Sequence, residues 1–74
     1  MIIKWNKTSA FLKNGKDNEW ATVELVVPSD FEKCEWLAKR SKDEAVVGVR
    51  SFKIGDDGSL KEAVEWCLEF LEEN

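Results

Sequence analysis

Apolar residues recur along this chain with two different periods. Over residues 2–13, Ile3, Trp5 and Phe11 are offset from Lys4 and Asn6, an alternation that predicts one long or two short strands. The phase slips near Lys7-Thr8-Ser9. Holding Trp5 and Phe11 on the buried side while Leu12 is also apolar requires a change of register, so a break or β-bulge is expected there. Asn14-Gly15-Lys16-Asp17-Asn18 is a dense turn signal in which Gly15 and the asparagines tolerate positive φ, and it predicts a hairpin. The return strand, 19–27, places Ala21, Val23, Leu25 and Val27 on a core face, with Trp20, Thr22, Glu24 and Val26 on the other.

After Pro28 the pattern reads as helical. Ser29 and Glu32 have the spacing of a capping box, which predicts a helix starting near Asp30. Phe31, Cys34, Leu37 and Ala38 would form its apolar face, with Trp36 to one side, and it would end in the polar stretch 41–44. Residues 45–54, with Val46, Val47, Val49, Phe52 and Ile54, read as a buried strand in which Gly48 marks a close backbone approach or a bulge. Gly55-Asp56-Asp57-Gly58 is a turn, and Ser59 with Glu62 repeats the capping box. Leu60, Ala63, Val64, Cys67, Leu68 and Leu71 then follow a clean amphipathic period to near the C-terminus.

The predicted order is β-β-α-β-α. It describes an α+β domain with a three- to four-stranded sheet, two helices packed on one face, and the other face partly open. If the second and third strands were parallel, the helical crossover between them would be right-handed; the alternative sets the third strand beside the first.

Composition narrows the class. A chain of 74 residues has room for one core and a single domain, and four tryptophans with four phenylalanines supply the bulk that so small a core needs. Hydrophobic content of 43% is far from the composition that keeps a chain disordered. No stretch resembles a signal peptide or membrane span, and two cysteines are too few for a secreted disulfide framework. A soluble, cytoplasmic protein with no membrane contact is expected.

Charge is uneven. The net value is −4, yet residues 1–16 carry four lysines and no acid, while residues 55–74 carry seven acids against one lysine. An acidic domain is not expected to bind nucleic acid through clustered cations, so a protein partner with a basic surface fits better.

The candidate chemistry is sparse. Histidine and tyrosine are absent, which removes the commonest general base and metal ligand, so the protein is not expected to be an enzyme. Asp56-Asp57 with Glu62 lacks the alternating oxygen ligands of a calcium loop, and the same carboxylates occupy the place where an anion would approach the last helix. Cys34 and Cys67 fall on apolar helix faces and read as core thiols, without the Cys-x-x-Cys spacing of a redox pair. No metal or cofactor is expected.

What remains points to interaction. Trp20 and Trp36 are the two tryptophans whose phase fits burial least, and an exposed tryptophan is a common interface anchor. On the last helix Glu62, Glu65, Glu69, Glu72 and Glu73 gather opposite the apolar stripe with only Lys61 among them, although like charges at this spacing repel. This acidic row is either a solvated face or a surface for a basic partner, imitating nucleic-acid phosphates. Trp66 and Phe70 widen the apolar stripe toward one edge.

Three functions follow from these features. The first is a non-enzymatic, acidic protein-interaction module, such as a phage-type inhibitor or nucleic-acid mimic acting on a nucleic-acid-handling protein, with Glu62, Glu65, Glu69, Glu72, Glu73, Trp20 and Trp36 meeting the partner. The second is a homodimeric structural or adaptor subunit joined through the open sheet face or the edge of strand 45–54. The third is a nucleic-acid-binding domain using Lys4, Lys7, Lys13 and Lys16.

Overall fold

The computed structural model describes residues 2–29, 33–54 and 59–72. Five strands run in sequence order, β1 (Ile2–Trp5), β2 (Ser9–Lys13), β3 (Glu19–Val26), β4 (Glu35–Lys42) and β5 (Ala45–Lys53), followed by one helix, α1 (Ser59–Glu72). Each strand is antiparallel to the next, and the sheet order β1-β2-β3-β4-β5 leaves β1 and β5 as its edges.

The turns follow their chemistry. At the expected phase slip the chain reverses: the Asn6 N–H donates to the Ser9 carbonyl at 2.8 Å, and Asn6 Oδ1 accepts the Lys7 N–H at 2.7 Å. Gly15 takes φ of 75° in the next hairpin. Asn14, in the same turn, donates from Nδ2 to the Leu71 carbonyl at 3.2 Å, partnering one of the carbonyls that a helix C-terminus leaves open. Asp43 and Glu44, which join β4 to β5, have φ of 52° and 66°. A two-residue turn with positive φ at both positions matches the right-handed twist of its strands, although neither residue is a glycine.

The α+β class stands, but the first predicted helix does not. Residues 35–42 form β4, paired with β3 on one side and β5 on the other. Cys34, Trp36 and Ala38 alternate as well as Phe31, Cys34, Leu37 and Ala38 follow a helical period, and two flanking strands decide between the readings. Among the described residues the sheet therefore has five strands and one helix covers it, and β5 pairs with β4 rather than beside either early strand. Cys34 and Trp36 lie before and within a strand, not on a helix. Of the first capping box only Ser29 is described; Glu32 and the turn 55–58 lie outside the described residues.

Cross-strand register assigns the faces. Ala10, Leu12, Ala21, Val23, Ala38 and Phe52 point toward α1 and form the core with Ala63, Cys67 and Leu71. The helix lies mainly over β4, with β3 and β5 to either side and β2 only touched. Its reach stops short of β1, so Trp5, opposite Ala10, is 57% exposed. The expectation that Trp5 and Phe11 are both buried fails: the two occupy opposite faces, and neither face is covered where they lie.

Arg40 ties the layers together. It sits on the helix-facing side of β4, its guanidinium 3.8 Å from the Trp66 ring centroid and 5.7 Å from that of Phe70. Nη2 donates to the Trp66 carbonyl at 2.6 Å and lies 3.9 Å from Glu69 Oε2. Gly48 is directly opposite on β5, where a Cβ would make ordinary contact, 3.4 Å from Arg40 Cδ and 3.5 Å from Trp66 Cη2. The β4–β5 ladder shifts register next to this pair, between Arg40 and Ser41, leaving Val47 as the extra residue of a bulge.

Candidate functional site

The acidic row is where the helical period placed it. Glu62, Glu65, Glu69 and Glu72 are exposed on the outer face of α1; Glu73 lies outside the described residues. Two of the four have cationic neighbours, Glu65 with Lys61 and Glu69 with Arg40, each at 3.9 Å. Exposed pairs of this kind contribute little and leave the row available to solvent. On the β5 side, Glu62, Glu65 and Glu69 border a groove with Trp66, Phe52 and Arg50.

The two nominated tryptophans part company. Trp36 faces α1 from β4 and packs, partly buried, against the core. Trp20 lies on the opposite side of the sheet, half-buried, where Asp17, Asn18, Asp43 and Glu44 surround it at one end of the strands. Asn18 and Asp43 are joined there by two hydrogen bonds, Nδ2 to Oδ1 at 3.1 Å and the Asp43 N–H to the Asn18 carbonyl at 2.8 Å. The structure thus does not gather the acidic row, Trp20 and Trp36 into one site.

A surface that periodicity did not reveal is the β5 edge. Val46, Val47 and Val49, which look like core residues in the sequence, are each 56% exposed because no sixth strand or helix among the described residues covers them. The Ile54 N–H donates to the Cys34 carbonyl at 3.2 Å, which makes that pair a hydrogen-bonded one. Bonded and non-bonded pairs alternate in an antiparallel ladder. Val49, Ser51 and Lys53 therefore direct their backbone N–H and C=O groups away from β4, toward the free edge. Such an edge is a template for another strand. No known protein family, curated protein or solved structure matches the chain.

Among the described residues, no element covers the face of the sheet opposite α1. Register puts Ile2, Lys4, Phe11, Lys13, Trp20, Thr22, Glu24, Leu37, Lys39 and Val49 on it. Lys13 pairs with Asp17 at 3.3 Å and Lys39 with Glu24 at 3.6 Å.

Cys67 is fully buried on the sheet-facing side of α1, and burial pushes its thiol up from 9.0 to about 11, offset in part by the Arg40 guanidinium. A neutral buried thiol is a poor nucleophile. Cys34 is half-buried just before β4, and neither cysteine is in a disulfide. Thiol labelling of the native protein is expected to modify Cys34 first and Cys67 only on unfolding. Because the folded-state value of Cys67 is raised, its contribution to stability is intact below pH 9.0 and is lost as pH rises through about 11. Urea midpoints measured across that range in wild type and Cys67→Ala check this, the variant losing less with rising pH. Among the described residues no group of three or more His, Cys, Asp or Glu side chains is placed to hold a metal ion, and no helix is long and apolar enough to cross a membrane.

Proposed function

We propose that this protein is a non-enzymatic protein-interaction module that works as a homodimeric structural or adaptor subunit, paired with its own copy along β5. The observation that carries this reading is the free β5 edge, which combines outward backbone groups at Val49, Ser51 and Lys53 with three exposed valines. In an antiparallel self-pair, residues directly opposite must share a face, so the two-fold axis falls on a residue. An axis at Arg50 would set that cation against itself, and one at Val49 would draw the bulged Val47 into the ladder. An axis at Ser51 avoids both.

With the axis there, Val49 lies opposite the second copy's Lys53, and Arg50 lies opposite its Phe52. The latter contact repeats between chains the Arg50–Phe52 cation–π approach, 4.9 Å, found within one. Sedimentation equilibrium of the purified chain tests the reading. A dimer is expected, and a monomer at high micromolar concentration would contradict it.

The acidic row supports a second, compatible role as the surface for a basic protein partner. The two-fold axis is perpendicular to the joined sheet, so both helices stand on the same side. Each is centred over β4, three strand spacings or about 14 Å from the other. The dimer thus presents two acidic rows to one partner, whether that partner is inhibited or merely recruited. Glu65→Lys with Glu69→Lys is expected to abolish retention of basic proteins while leaving the dimer and its circular dichroism unchanged; equal retention by the double variant would remove the acidic row from the account.

A further inference from the structure

We propose that the uncovered sheet face is a binding platform for single-stranded nucleic acid, with Phe11 and Trp20 stacking bases and Lys4, Lys13 and Lys39 meeting phosphates. Phe11 on β2 stands opposite Thr22 on β3, and Trp20 is two residues along from Thr22 on the same face. The two aromatic rings are therefore diagonal neighbours, about 7 Å apart by sheet geometry. That separation is within the reach of two successive unstacked nucleotides, and every base offers a π-face whatever the sequence.

Cations flank both rings. Lys4 on β1 is directly opposite Phe11, and Lys39 on β4 is directly opposite Thr22. Lys13 continues the β2–β3 register to the position beside Trp20. A shallow depression around Phe11 is lined by Lys4, Thr22, Glu24 and Lys39, and Trp20 borders a separate one with Asp17, Asn18, Asp43 and Glu44.

The net charge of −4 weighs against polyanion binding for the molecule as a whole, but the charge is divided between its faces. Lys4, Lys13, Lys39 and Lys53 lie on the open face against Glu24 and Glu35, and Asp17, Asp43 and Glu44 gather at its Trp20 end. The acidic row sits on the far side of α1, a layer about 10 Å thick, whereas charges in physiological salt are screened over about 8 Å. A strand on the open face therefore meets Lys4 directly and displaces Asp17 from Lys13 and Glu24 from Lys39 to reach the other two. The bulky, regular backbone of a duplex cannot place its stacked bases on the rings, so single strands are preferred.

Fluorescence anisotropy with short, labelled, mixed-sequence oligonucleotides tests this, using single-stranded DNA, single-stranded RNA and duplex DNA in separate arms. Either single strand is expected to bind more tightly than duplex, with log affinity falling against log salt at a slope of about −2 for three lysine–phosphate contacts. Phe11→Ala and Trp20→Ala are each expected to weaken binding about tenfold, and Lys4→Gln to flatten the slope by about 0.7. Thr22→Glu, which sets a carboxylate between Phe11 and Lys39, provides a second route if either aromatic variant folds poorly, and it should abolish binding. Absence of binding at low salt, equal affinity for duplex, or affinity indifferent to Phe11, Trp20 and Thr22 would each overturn the proposal. So would burial of Trp20 in the dimer itself, which would assign this face to the second copy.

Discussion

Replacing Arg40 with alanine is expected to cost about 2 to 4 kcal/mol of folding stability, measured by urea denaturation. A domain of this length holds about 4 to 11 kcal/mol, so the loss is a large share of the total. Three contacts disappear together: the guanidinium over Trp66 at 3.8 Å, the 2.6 Å bond to the Trp66 carbonyl, and the 3.9 Å approach to Glu69. The stem also leaves a gap beside Gly48, which α1 can close only by sinking toward β4. Arg40→Met is expected to lose less than half as much, because its side chain refills the gap and removes Nε, a buried donor without a hydrogen-bond partner. A change below about 0.5 kcal/mol for Arg40→Ala would mean that Arg40 merely lies on the surface of the layer contact rather than holding it.

Val46→Lys with Val49→Lys is expected to weaken the dimer about 100-fold, or about 2.8 kcal/mol, and to leave the fold of each copy intact. Each valine is 56% exposed, so the substitutions remove little from the core. With the two-fold axis at Ser51, a lysine at position 49 faces the second copy's Lys53 directly, and symmetry makes that repulsion occur twice. Lysine on an edge strand is also a common natural guard against strand addition. Sedimentation of the double variant checks the dissociation, and an unchanged association constant would place the contact elsewhere.

The last helix was legible because six apolar residues from Leu60 to Leu71 keep one period and their neighbours are charged. The 19–26 strand was legible for the same reason at period two, as was the hairpin turn around Gly15. Residues 35–42 were not. Their strand character comes from partners on both sides, while Leu37, Ala38, Lys39 and Arg40 are all good helix formers locally. Arg40 disguises the alternation further, since its face is the buried one and its side chain scores as polar.

The acidic row could be read from sequence because it lies within one element. The β5 edge could not: Val46, Val47 and Val49 look alike in a central or an outer strand, and only the sheet order tells which strand is last. Phe11 and Trp20 are similar, because their proximity depends on the β2–β3 register, which neither strand fixes alone.

The most direct test of β5 pairing is isotope-filtered nuclear Overhauser spectroscopy on a mixture of labelled and unlabelled protein. The account predicts intermolecular cross-peaks between the backbones of Val49 and Lys53 and across Ser51 to itself. Intermolecular contacts confined to Phe11, Trp20 or the helix, or a dimer with none along β5, would contradict it.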